Sequence, residues 1–198
     1  MFYFLSGSSS VGKTEFLDEI SKSVFPYKIV KIVRMATRRI REKYDNPPYS
    51  KLLSQEFYLT ANYQNAILKE YIRIIKDVEK EQITYPENVY IFERSPLDVV
   101  AFSNVFASLS LEHTLGFDLK FWLDIHKTLA KSRLHNLTKD GIIKKTVYFP
   151  IDYSFPYVED VHRPPTNIRE AVDKLLYDEY WAKDDVITKD DLLTELNK

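Results

Sequence analysis

The sequence has no cysteine, only four glycines and two methionines. It also has no apolar run approaching the ~18 residues of a membrane-spanning helix. The missing cysteine excludes disulfides, thiolate zinc sites and a cysteine nucleophile together, and is compatible with a reducing cytosol. Charge of one sign is lacking too: 28 Lys and Arg face 29 Asp and Glu, a net charge of −1. A uniformly basic coat for nucleic acid is therefore excluded, although a local basic groove is not. The opening Met1-Phe2-Tyr3-Phe4-Leu5-Ser6 is too short, and lacks the positive flank, for a signal peptide. A cytoplasmic protein without membrane attachment is expected. What remains is a chain of 198 residues, 44% hydrophobic and 29% charged, the profile of one globular domain with a sizeable core.

Short apolar runs alternate with longer amphipathic ones, a pattern that predicts an α/β domain with a parallel sheet. Strands are expected at Phe2–Ser6, Tyr27–Met35, Val89–Phe92 and Thr146–Phe149. Helices are expected at Lys13–Lys22, from Glu56 to Lys80, from Pro96 onward with Ser95 as N-cap, from Phe117 to about Lys131, and at Asn167–Trp181. In the fourth of these, Phe121, Trp122, Ile125 and Leu129 are expected to face inward. The basic and turn-rich stretch Thr37–Ser54 and the aromatic, proline-rich Tyr153–Pro165 are expected to be loops. Val186–Lys198 is expected to form a short strand and a short polar helix.

Gly7-Ser8-Ser9-Ser10-Val11-Gly12-Lys13-Thr14 fits the pattern G-x-x-x-x-G-K-S/T without a mismatch, between a predicted strand and a predicted helix. In such a loop the glycines let the backbone curl until its N–H groups converge on phosphate oxygens, and the helix N-terminus adds partial positive charge. Lys13 would reach the β- and γ-phosphates of ATP, and the Thr14 hydroxyl would hold Mg²⁺. None of the four glycines has Asp three residues before it, and no N-K-x-D or L-S-G-G-Q occurs. A guanine-nucleotide switch and a transporter-type ATPase are therefore disfavoured.

The third predicted strand ends in Glu93-Arg94-Ser95-Pro96. A carboxylate at the carboxyl end of a buried parallel strand lies where such sheets bind ligands. There it could hold Mg²⁺ or take a proton from an attacking hydroxyl, while the guanidinium of Arg94 offers a fork for phosphoryl oxygens. Glu93-Arg94-Ser95 resembles the motif after the third strand of deoxynucleoside and thymidylate kinases. The longer run Glu93–Phe102 is similar to that of AAA-type P-loop kinase-like domains related to ribosylnicotinamide kinase. The resemblance implies a three-layer P-loop NTPase fold, a central parallel sheet flanked by helices with a small helical lid near residues 153–170. It further implies Glu93 as base or metal partner and Arg94 as phosphate ligand.

Seven of the nine arginines fall at 34–41, 94 and 163–169. Thr37-Arg38-Arg39-Ile40-Arg41 resembles the acceptor-phosphate motif of guanylate kinases but lacks its Pro and Gly, and a solvated basic loop is an equal alternative. By resemblance, Arg38 and Arg41 would bind the acceptor. Residues 157–163 resemble the lid of P-loop kinases, which implies that Arg163 and Arg169 close over the transferring phosphoryl group. Phe57 and Tyr58 are candidates to stack on a base, with core packing as the alternative. The expected activity is Mg²⁺-dependent transfer of the ATP γ-phosphoryl group to a small nucleoside or nucleoside monophosphate. Two alternatives remain: phosphorylation of a hydroxyl on DNA, as by bacteriophage kinases of hydroxymethylated bases, and a nucleotide-dependent regulator. A homodimer is compatible with the sequence.

Overall fold

The computed structural model describes residues 1–35, 37–45, 47–54, 57–109, 118–159, 163–180 and 183–198, except the Arg38 side chain. Five strands build the centre: β1 (Phe2–Ser6), β2 (Val30–Val33), β3 (Val89–Phe92), β4 (Lys144–Tyr148) and β5 (Val186–Ile187). Their order in the sheet is β2-β3-β1-β4-β5, and every neighbouring pair is parallel. All five residues of β1 are buried, as suits a central strand covered on both faces.

Alternate residues divide two cores. Phe2, Phe4, Tyr90 and Phe92 face the helices α4 (Phe57–Thr84), α5 (Pro96–Leu109), α6 (Leu119–Lys139) and α7 (Thr166–Tyr180). Phe4 and Phe92 stack at 4.6 Å. Tyr3, Leu5, Val89, Ile91 and Val147 face the other way, onto α1 (Lys13–Lys22) and α8 (Lys189–Leu196). The result is a three-layer α/β fold, helices on both faces of a parallel sheet. Among the described residues no helix is long and apolar enough to cross a membrane.

The chain leaves β1 through α1 to the sheet edge at β2, returns to β3, and later crosses to β4 on the far side of β1. The change of direction opens a crevice beyond the carboxyl ends of β1 and β3, which is where ligands bind in such sheets. The register Phe4↔Phe92 places the segment after Ser6 beside Glu93 and Arg94.

The structure corrects several sequence-based expectations. Thr37–Ser54 is not a loop but contains α2 (Thr37–Lys43) and α3 (Tyr49–Ser54). Ile40 and Leu52 anchor them in the core, and the Pro47-Pro48 pair initiates α3: Pro48 O accepts from the N–H groups of Lys51 and Leu52. The second strand shrinks to Val30–Val33 because it is an edge strand whose only partner, β3, is four residues long. The inward face of α6 is Trp122, His126, Ala130, Arg133 and Leu137, while Phe121, Ile125 and Leu129 are exposed. The misread stripe lies one residue away, because two buried polar side chains belong to the true one. His126 pairs with Asn65, and Arg133 pairs with Glu79. The predicted helix start at Phe117 lies outside the described residues. Residues 149–159 and 163–165 carry no helix or strand, and α7 begins at Thr166.

Candidate active site

The loop between β1 and α1 wraps around the Lys13 ammonium. Gly7 adopts φ +147°, and a Cβ there would lie 2.4 Å from Phe149 O, so only glycine fits where the loop passes the end of β4. Gly12 caps α1 at φ 82°, and Ser10 takes φ 55°. Left-handed residues within a tight turn direct successive N–H groups to one side, the geometry of an anion-binding nest. Lys13 Nζ donates to Gly7 O at 2.8 Å and to Ser8 O at 2.5 Å. Burial, and then the positive charge of Arg94, lower the pKa of this lysine to about 7. Thr14 is exposed at the start of α1 and lines the open cleft that also contains Glu93.

Glu93 stands at the end of β3. Its Oε2 accepts from Met35 N–H at 3.1 Å, and Arg34 lies 3.9 Å from Oε1 while also pairing with Asp18. Arg94 points the other way, with Nη1 at 3.6 Å from Asp98 Oδ2. Asp98 is 1% exposed and takes a hydrogen bond from the Ser6 hydroxyl; burial raises its pKa. It joins the strand before the phosphate loop to Arg94 and Lys13, yet its sequence position suggested only a helix first turn. A carboxylate four residues after Arg94 on a helix was the available signal.

A second, inner cleft of about 60 Å³ adjoins the open one; it is smaller than the ~300–1,000 Å³ of small-molecule sites, so a bound ring would have to part its walls. Its walls come from Tyr49, Tyr63, Gln64, Ile67, Tyr71 and Phe106, with Arg94 and Asp98 at its floor. Ser9, Thr37, Arg41, Tyr49 and Arg94 line both clefts, so the two share a wall. Arg41 donates to Pro47 O at 2.7 Å and its guanidinium covers the Tyr49 ring. Sequence reasoning missed the tyrosines and Gln64. Tyr63, Ile67 and Tyr71 recur at helical spacing on α4 and were legible only as core. Phe57 instead packs against Trp122 in the core, and Tyr58 is exposed.

The remaining sequence candidates are dispersed. The Arg38 side chain lies outside the described residues. Arg163 is exposed and donates to Val158 O at 3.3 Å. Arg169 is 4% exposed and bonds to the phosphate loop itself, with Nε 3.0 Å from Ser9 O and Nη2 3.4 Å from Ser10 O. The structure therefore brings Thr14, Glu93, Arg94 and Arg41 around one cleft, with Lys13 buried inside the adjoining loop and Arg169 bonded to that loop from α7.

No family model matches the sequence, and no curated protein matches it. A solved structure of deoxyadenosine kinase from M. mycoides, with the products dCMP and a flexible dCDP bound, aligns over 100% of this chain and 98% of that one. The sequence identity is 12% and the TM-score 0.47. A likeness at that level adds nothing to the topology and geometry above.

Proposed function

We propose that the protein is a P-loop kinase that moves the γ-phosphoryl group of ATP to a nucleoside or nucleoside monophosphate. The observation that supports this most is that the two clefts adjoin, with Arg94 and Arg41 lining both. A phosphate loop opens into a space that narrows, past Glu93 and Arg94, to an aromatic chamber. The loop amides and Lys13 would hold the donor phosphates. The acceptor would part the walls of the chamber, its flat ring against Tyr49, Tyr63 or Phe106 and its polar edge toward Gln64.

In the transfer, the acceptor oxygen forms a bond to the γ-phosphorus as the bond to the β-phosphate oxygen breaks, releasing ADP. For a hydroxyl acceptor, Glu93 would take the proton it loses, and Arg94 would neutralise charge on the phosphoryl oxygens. The hard oxygen donors of Thr14 and Glu93 on one cleft suit Mg²⁺, which keeps most of its other positions for water and phosphates. When bound, Mg²⁺ would supply charge neutralisation between the β- and γ-phosphates. Arg41 would orient the acceptor from the chamber wall, and Arg38 and Arg163 would add positive charge from α2 and from the segment before α7.

Glu93→Gln separates binding from chemistry. Turnover should fall on the order of 10²–10⁴-fold and far more than ATP affinity, because the lost carboxylate is the proton acceptor as well as one ligand of Mg²⁺. An unchanged turnover with a good acceptor would remove Glu93 from this role.

A further inference from the structure

The phosphate loop is held from outside as well as from within. Inside, Lys13 binds the carbonyls of Gly7 and Ser8. Outside, the first turn of α7 supplies Arg169, whose Nε and Nη2 donate to the carbonyls of Ser9 and Ser10. Ser8 closes the contact in reverse, donating its hydroxyl to Arg169 O at 2.7 Å. The guanidinium is pinned in turn, 4.4 Å above the Tyr157 ring. Tyr157 donates to Pro164 O, and Glu159 accepts from both the amide and the hydroxyl of Thr166.

The peptide plane turns this anchoring into a statement about phosphate binding. The C=O and N–H of one trans peptide point in opposite directions. The Ser9 carbonyl shares its peptide with the Ser10 N–H, and the Ser10 carbonyl shares its peptide with the Val11 N–H. Drawing both carbonyls outward onto a buried guanidinium turns both N–H groups to the inner side of the loop. Ser10 reaches this orientation at φ 55°, a conformation a non-glycine residue holds only when its surroundings impose it.

We infer that Arg169 is a positioning residue, which presets the Ser10 and Val11 amides for the donor nucleotide's phosphates instead of touching the transferring phosphoryl group. Stacked on Tyr157, it ties the first turn of α7 to the outer side of the loop. The inference rests on the kinase reading only in taking the loop's ligand to be a nucleotide polyphosphate.

The test compares ATP and ADP binding by calorimetry for the wild type, Arg169→Met, Arg169→Lys and Tyr157→Leu. A preset loop serves the phosphates that ATP and ADP share. Arg169→Met should therefore weaken both by the same factor, on the order of tenfold for two lost hydrogen bonds. Turnover at saturating ATP should remain near that of the wild type. Arg169→Lys, a single ammonium that cannot span both carbonyls, should recover part of the loss. Tyr157→Leu, which keeps the guanidinium but removes its ring, should cost about threefold. If Arg169→Met fails to fold, the Lys and Tyr157 variants carry the same comparison. Weakened ATP with unchanged ADP, or a fall in turnover at saturation, would make Arg169 a direct ligand of the γ-phosphoryl group and overturn the inference. Unchanged affinity for both nucleotides would also overturn it. Failure of the wild type to bind either nucleotide would instead overturn the kinase reading, and the inference with it.

Discussion

Gly7→Ala strikes the tightest point of the site. The residue sits at φ +147°, and its new Cβ would lie 2.4 Å from Phe149 O. That oxygen is not a flexible end: Phe149 N–H donates to Ser6 O at 2.8 Å, extending the pairing of β4 with β1. The methyl group therefore has to push one strand end from the other. Positive φ costs a non-glycine residue about 1–2 kcal/mol, and forced separation in a packed region about 1–3 kcal/mol more. The sum is roughly 2–5 kcal/mol. At about 2–4 °C per kcal/mol for a chain of this size, the melting temperature should fall by roughly 4–20 °C. Gly141→Ala is the internal control. Its φ is +77° and nothing lies within 4 Å of the added Cβ, so only the backbone term applies, about 1–2 kcal/mol. Thermal unfolding of both variants, with ATP affinity measured alongside, checks the reasoning. Gly7→Ala should lose both stability and nucleotide binding, and Gly141→Ala only some stability. Equal melting temperatures for the two would show that the close approach to Phe149 carries no cost.

Three further outcomes follow from the same geometry. Burial, and then Arg94, hold Lys13 near pKa 7, and bound phosphates favour its charged form, so nucleotide binding above pH 7 should take up a proton. Calorimetry at pH 8 in buffers of different ionisation enthalpy should register that uptake, and buffer-independent heats would refute it. Asp98→Asn keeps the shape but removes the negative charge beside Arg94 and Lys13, and should cost about 2 kcal/mol in urea unfolding; an unchanged midpoint would show that the pair contributes nothing net. His126 is fully buried, and burial lowers its pKa to about 4. The unfolded chain thus binds the extra proton between about pH 6.5 and 4. Stability should fall by about 3 kcal/mol as pH drops through that window, and His126→Gln should flatten the fall.

Much of this site is written locally in the chain. The buried run Phe2–Ser6, the glycine-framed loop and the amphipathic Lys13–Lys22 adjoin one another, and a strand, a tight turn and a helix follow from local chemistry alone. The same holds for Val89–Phe92 running into Glu93 and Arg94. What was illegible depended on tertiary partners. The helices within Thr37–Ser54 carry one buried anchor each, Ile40 and Leu52, too few to show a period. The true inner face of α6 includes His126 and Arg133, which become acceptable in a core only because Asn65 and Glu79 meet them from α4. The inner cleft draws Tyr49, Tyr63, Tyr71 and Phe106 from α3, α4 and α5, which come together only in the folded chain. Arg169 read as a lid arginine because its partners, two backbone carbonyls of the phosphate loop, leave no trace in side-chain identity.

The most direct measurement is the transfer of radiolabelled γ-phosphate from ATP to a panel of acceptors, with Lys13→Ala alongside. The panel holds nucleosides, nucleoside monophosphates, ribosylnicotinamide, and plain and base-modified DNA. The proposed function predicts label on at least one free nucleoside or nucleotide, lost in Lys13→Ala although that variant keeps the wild-type fold. Label appearing only on DNA, or ATP binding with no labelled acceptor, would contradict it.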